Sequence, residues 1–191
     1  MSLAQRNRIN AMRAVQAVAV PLFLDRGFDA VTVEDIAEEA EISPSTVYRH
    51  FGVKEELVLW EDLDGELAKA FAKHLGKGSP FKGLCAAYTD AYTLSAEAQE
   101  RFRNRATLIE ATPDLRTYQV ARMEAQRGEL VGTLAKAYKK RASDLELDVV
   151  ARVANAALLA ASERWQATGS RKTLSSWIKE SFQAARAVTK G

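Results

Sequence analysis

Cysteine is nearly absent from this chain of 191 residues: Cys85 stands alone, so no disulfide can form within it and a reducing, cytoplasmic setting is the default expectation. With only His50 and His74 beside that thiol, a Cys/His metal cluster would lack ligands, and neither a metal nor a cofactor is expected. Long apolar runs are missing as well. The two longest, "AVQAVAVPLFL" and "VVARVANAALLAA", are shorter than the roughly 20 residues a bilayer requires and are interrupted by Gln16, Arg152 or Asn155. No membrane span is expected, and no signal peptide, because no apolar region followed by a small-residue cleavage site opens the chain. An excess of one charge is also lacking: 27 Lys and Arg stand against 25 Asp and Glu. Residues 1–54 carry six positives against seven negatives, so this is no basic domain. The signs are nevertheless segregated, with arginines in the first turns and around residues 49–54 and acids between them.

Proline is scarce and strand-like alternation absent, whereas apolar periods of three and four recur throughout, and the spacing predicts an all-α protein. Val15, Val18, Ala19, Leu22 and Phe23 form the stripe of a first helix that Gly27 ends, with a bend expected near 17–21 because Pro21 lies inside it. Thr32 and Asp35, at capping-box spacing, open a two-turn second helix with Ile36, Ala37 and Ala40 inward. Ser43 is placed to cap a third, Pro44 suits its first position, Ile42 can staple onto Val47, and Gly52 ends it. A longer connecting helix is expected over about 54–75, before "GKGSP" breaks the chain. Further helices are expected at roughly 81–95, 97–110, 115–141, 146–168 and 173–188, with breaks at "TPD", "SDLELD" and "ATGSRK".

The third helix, "PSTVYRHF", is rich in hydrogen-bonding side chains and poor in core. Two short helices joined by a tight turn make a helix-turn-helix pattern, whose second helix enters the major groove of DNA. With Val47 and Phe51 as its anchors, Ser45, Thr46, Arg49 and His50 fall on the outer arc. Arg49 suits a guanine edge, while Tyr48, His50, Lys54 and the amides near Thr32 suit phosphates. Alternatives stand beside this. Thr32, Ser43 and Pro44 equally suit plain helix starts, Tyr48 can complete a core, and His50 can be an ordinary surface histidine. A catalytic Ser45–His50 pair lacks an orienting acid and an oxyanion hole, so no enzyme is expected.

The string "GFDAVTVEDIAEEAEISPSTVYRHFGVKEEL" closely resembles the DNA-binding domain of TetR-family transcriptional repressors, on Gly27-Phe28, Val31-Thr32-Val33, Ile36-Ala37, Ala40, Ser43, Thr46-Val47-Tyr48, His50-Phe51 and Lys54. The resemblance covers about residues 10–60, with Pro21 as a departure. It implies a helix-turn-helix domain over 1–53, base contacts from Pro44, Ser45, Thr46 and Arg49, and phosphate contacts from Thr32, Tyr48, His50 and Lys54. It also implies a larger ligand-binding and dimerisation domain over 54–191, and a palindromic operator bound by a homodimer through the last two helices, about 146–188. The residues agree on the last point, since an Ala-rich helix there is followed by a stripe of Leu174, Trp177, Ile178, Phe182, Ala185 and Val188.

The segment "ERFRNRATLIEATPDLRTYQVAR" looks like family members with acyl-CoA-like ligands. Arg101 and Arg105 share a helix face and suit phosphates, and Tyr88, Tyr92, Phe102, Leu108, Ile109, Tyr118 and Met123 suit an apolar cavity for a small-molecule effector. The same aromatics serve equally well as plain core. The expected function is a ligand-responsive transcriptional regulator, most simply a repressor; the alternative is a helical protein-interaction adaptor that binds no DNA.

Overall fold

The computed structural model describes residues 2–61, 63–168 and 172–188. Among these the chain is built of helices α1 (Leu3–Arg26), α2 (Val33–Glu39), α3 (Pro44–Phe51), α4 (Glu56–Leu59), α5 (Asp64–His74), α6 (Pro80–Ala91), α7 (Ala96–Ala111), α8 (Pro113–Tyr138), α9 (Leu145–Ala167) and α10 (Leu174–Val188). Three of the four prolines open a helix, at the position where a missing amide proton costs nothing. The fourth, Pro21, lies inside α1, which runs through it as one helix. Pro21 and Ala17, whose carbonyl it leaves without a donor, are both exposed, so water can take the missing bond. The break expected at "ATGSRK" falls partly on residues 169–171, outside the described ones.

Two compact units emerge, residues 1–62 with 100–119, and residues 63–99 with 120–191; α7 and α8 each belong in part to both. This differs from a division after residue 53. The connecting helix expected over 54–75 is two helices, with residues 60–63 between them, and the "GKGSP" turn lies inside the second unit. That turn is a packed hairpin: Leu75 is buried, the Tyr138 hydroxyl donates to Ser79 O at 3.3 Å, and Gly83 allows Tyr138, Leu75 and the His74 carbonyl to crowd its backbone.

In the first unit, Met12, Val15, Ala19 and Phe23 of α1 meet Ile36 and Ala37 of α2, Val47 and Phe51 of α3, and Leu57 and Val58 of α4. Leu108 and Leu115 complete this core, and Ile109 packs against it. Polar tethers fix the end of α4. Gln16 Nε2 donates to the carbonyls of Leu57 and Trp60 at 3.0 Å each, and the buried Arg105 guanidinium donates to the same Trp60 carbonyl. These bonds satisfy acceptors that a helix end leaves open, and they account for the chain stopping its helix here.

In the second unit, Leu174, Ile178 and Phe182 of α10 are buried within their own chain, together with Ala151, Ala154, Ala157, Ala161 and Trp165 of α9. Three members of the stripe expected to face a partner are therefore spent internally. Phe182 also meets Phe81 and Tyr88 of α6, at ring separations of 4.9 and 6.1 Å. A ring of alternating charges, Glu124–Arg127–Asp148–Arg152, joins α8 to α9. Among the described residues no helix is long and apolar enough to cross a membrane, and no group of three or more His, Cys, Asp or Glu side chains is placed to hold a metal ion.

Candidate nucleic-acid interface

The recognition segment begins with the cap of α2. The Thr32 hydroxyl accepts from the Asp35 amide at 3.1 Å while the Asp35 carboxylate accepts from the Thr32 amide at 2.8 Å, a complete capping box. These bonds from Thr32 hold the Asp35 carboxyl below the usual aspartate value. Thr32 thus spends its hydroxyl locally, as the capping reading had it. The turn then passes through Glu41 at φ 54°, left-handed backbone that favours glycine.

Ser43 caps α3 by accepting from the Thr46 amide at 3.3 Å, and its Oγ lies 2.9 Å from both the Ser45 and Thr46 hydroxyls. Three hydroxyls are thereby gathered at the end of the helix that would meet base edges, each able to donate its proton to an acceptor or to offer its oxygen to a donor. Val47 and Phe51 are 1% and 6% exposed, and Phe51 stands edge-on to Trp60 with ring centroids 6.1 Å apart. Everything else on the helix is at least partly open. Pro44, Thr46 and His50 are half-buried, and Ser45 and Arg49 are exposed. Tyr48 is 46% exposed and is no part of the core.

His50 is held below the usual imidazole value of 6.5, first by partial burial and then by the charges of Arg49 and Arg8. Lys54 is not a loose surface cation. Its ammonium donates to the Phe28 carbonyl and lies 4.4 Å from the centre of the Phe28 ring, tying the segment after α3 to the loop before α2. Phe28 and Lys54 are thus partners, which their separation in sequence does not reveal.

The residues expected to hold a ligand do not fall in one unit. Phe102, Arg105 and Ile109 belong to the first, where Arg105 is buried, donates to Trp60 O, stands 3.9 Å from Glu61 Oε1 and lies over the Phe102 ring at 5.1 Å. Arg101, by contrast, is exposed, so the two arginines do not act as a pair. Tyr88, Tyr92 and Met123 belong to the second unit. Tyr88 and Tyr92 are buried core, with Tyr88 against Phe71 and Phe182 and its hydroxyl pushed up to about 12 by burial; Met123 is half-buried on α8.

Residues 16–59 match the profile of bacterial regulatory proteins of the tetR family, and residues 78–189 match that of the MftR C-terminal domain. The putative mycofactocin biosynthesis transcriptional regulator MftR of Mycobacterium tuberculosis is 26% identical over 163 residues, covering 84% of this chain and 82% of that one. The regulator TcmR of Streptomyces glaucescens is 29% identical over 125 residues, 61% of this chain and 55% of its own. The repressor KstR2 of Rhodococcus jostii is 32% identical over 87 residues, 42% of this chain and 43% of its own. These relatives are transcriptional regulators rather than enzymes. A solved structure of a putative TetR-family regulator from Rhodococcus sp. superposes with a TM-score of 0.53 at 20% identity, covering 93% of this chain and 97% of that one, which shows the shared fold.

Proposed function

The chain belongs to the TetR family of bacterial regulatory proteins, with a C-terminal domain of the MftR type, and from that premise we propose a ligand-responsive repressor that binds a palindromic DNA operator as a homodimer. The observation that carries this reading is α3 itself: eight residues held by two buried side chains, with Ser45 and Arg49 exposed and Thr46 half-buried beside them. In the major groove Arg49 would bridge the two acceptors of a guanine, worth about 1–3 kcal/mol of discrimination, and the two hydroxyls would meet neighbouring base edges. Pro44 would pack against the groove wall. Tyr48 and His50 would hold phosphates, as would the donors of Lys54 beyond the one given to Phe28, and Thr32 would offer the amide end of α2.

The dimer would form through α9 and α10. Val149, Ala156 and Ala160 on α9, and Ala184, Ala187 and Val188 on α10, are exposed, apolar and mostly small, which suits close packing of helices into a four-helix bundle. Two recognition helices would then reach successive major grooves about 34–36 Å apart. Such a regulator works where the DNA is, in the cytoplasm.

The effector would bind the second unit, with Tyr88, Tyr92 and Met123 nearest an apolar or acyl-CoA-like ligand. Phe102, Arg105 and Ile109 would instead transmit. Because α7 runs from the second unit into the first, a shift imposed on its start would load the Arg105 bond to Trp60 and move the end of α4. Coupling of this kind needs ligand affinity to differ between the two states, by about 1–3 kcal/mol in typical cases. Light scattering at micromolar concentration should give a dimer, and a monomer would remove the bundle. Long-chain acyl-CoA should weaken operator binding; no effect up to roughly millimolar, which corresponds to only about 4 kcal/mol of binding free energy, would remove that ligand class.

A further inference from the structure

Charges on a helix usually answer its dipole, with acids at the start and bases at the end. Two surfaces of this chain run against that rule. The last turn of α2 has no basic residue; Glu38 and Glu39 close the helix, and Glu41 follows on left-handed backbone that favours glycine. Glu34 and Glu38, four apart, also stack like charges on one face, which costs the helix stability. Asp29, Glu34, Glu38, Glu39 and Glu41 are all exposed, and none is ion-paired among the described residues. The second surface lies where the turn between α5 and α6 packs on the end of α8: the Tyr138 hydroxyl donates to Ser79 O, and the Ala137 carbonyl stands 3.0 Å from where a side chain on Gly76 would begin. Lys77, Lys82, Lys136, Lys139 and Arg141 are gathered there, exposed and not ion-paired. The acids nearest in sequence are already engaged, Asp90 by Lys73 and His74, and Asp144 and Glu146 by Lys140. A dipole accounts for cations at the end of α8, but Lys82 sits in the first turn of α6, at the disfavoured end.

We propose that these surfaces are the two halves of one contact between copies of this chain, in which α2 of one homodimer docks its acids on the cations around the α5–α6 turn of another. This rests on the homodimer reading above. Charge complementarity points to a second copy: five carboxylates without counter-ions stand against five cations without counter-ions, on a chain whose net charge is only +2. The face given differs from the face received, so the contact is heterologous, and a dimer engaged through one surface still offers the other. Exposed ion pairs are weak one by one and are screened by salt, so the association belongs to low ionic strength and high local concentration.

The test measures the mass of the full-length, DNA-free protein by light scattering at about 100 μM, in about 10 and about 150 mM salt, between which the screening length shortens from about 30 to about 8 Å. The wild type should exceed the mass of a homodimer at the lower salt and return to it at the higher. Glu38→Lys/Glu41→Lys and Lys136→Glu/Arg141→Glu should each lose all mass above the homodimer, because each sets like charges face to face. All four positions are exposed, so the fold bears the changes. The chain carrying all four substitutions keeps the wild-type net charge with the signs of the two surfaces exchanged, and it should regain the low-salt association. A wild type with one mass at both salts would overturn the proposal, as would a reversal that leaves the excess mass in place or a fourfold variant that fails to regain it. A monomer at the higher salt, with the low-salt excess still lost in each reversal, would overturn the homodimer reading alone.

Discussion

The two units of this chain bury their cores by different means. In the first, α2 and α3 are only seven and eight residues long, each opened by a side-chain cap, and the end of α4 is held by Gln16 and Arg105 through bonds that reach across more than forty residues. In the second, α9 and α10 run for 23 and 15 residues, pack through alanines and a few large side chains, and leave their charges outside. Short helices cannot rely on internal cooperativity, so caps, anchors and tethers carry a large share of their order. Long helices spread the same burden over many small contacts. The difference matters for function, because the short pair must present a fixed arc of polar groups, while the long pair offers a broad face.

Substitutions can break this contrast at graded cost. Phe51→Ala should have the largest effect, about 3–5 kcal/mol of lost stability by chemical denaturation, since it removes one of the two anchors of α3; a cost below about 1 kcal/mol would deny the anchor role. In the second unit the tightest point is Gly83, where an added side chain meets the Tyr138 hydroxyl, Leu75 Cδ2 at 3.1 Å and the His74 carbonyl at 3.3 Å. Gly83→Val should cost about 1–3 kcal/mol there, and Tyr138→Phe, which removes the nearest of the crowding atoms, should reduce that cost. Thr32→Val removes the cap of α2 at about 1 kcal/mol. Asp35 adds a dependence on acid: its carboxyl is lowered in the folded protein, so its contribution is complete above the ordinary aspartate value and is lost as pH falls through the lowered one. Asp35→Asn should flatten that acid limb by lowering stability at neutral pH, and leave stability at the acid end little changed. The smallest effect concerns His50. Its imidazole is lowered in the free protein and would be raised beside a phosphate, so binding takes up a proton. Operator affinity should rise by less than about tenfold per protomer from pH 8 to pH 6, and His50→Gln should abolish the rise.

The same contrast decides what was legible in the sequence. Caps are local, so Thr32 with Asp35, Ser43 with Pro44, and Gly52 could be placed from spacing alone, and the structure has each where expected. Tethers are not local. The pattern of Leu57, Val58 and Trp60 continues smoothly, and nothing near it announces that Gln16 and Arg105 will close the helix at Leu59. The burial of Arg105 is hidden for the same reason: at a spacing of four it looks like the twin of Arg101, and only the fold turns one inward and the other out. Lys54 fits its expected place in the sequence, while its bond to Phe28 is a product of packing. In the second unit the helix limits were close to those expected, but which apolar stripe serves the chain's own core is a question of tertiary partners, and Leu174, Ile178 and Phe182 proved internal.

The central claim is that the open arc of α3 reads bases. The most direct measurement is selection of binding sites from random double-stranded DNA by the wild type and by Arg49→Ala, side by side. A palindromic preference for the wild type, relaxed at one position of each half-site in the variant, is the result this account requires. Identical profiles for the two proteins would remove Arg49 from base reading, and no selection by either would leave a helical protein whose helix-turn-helix serves packing alone.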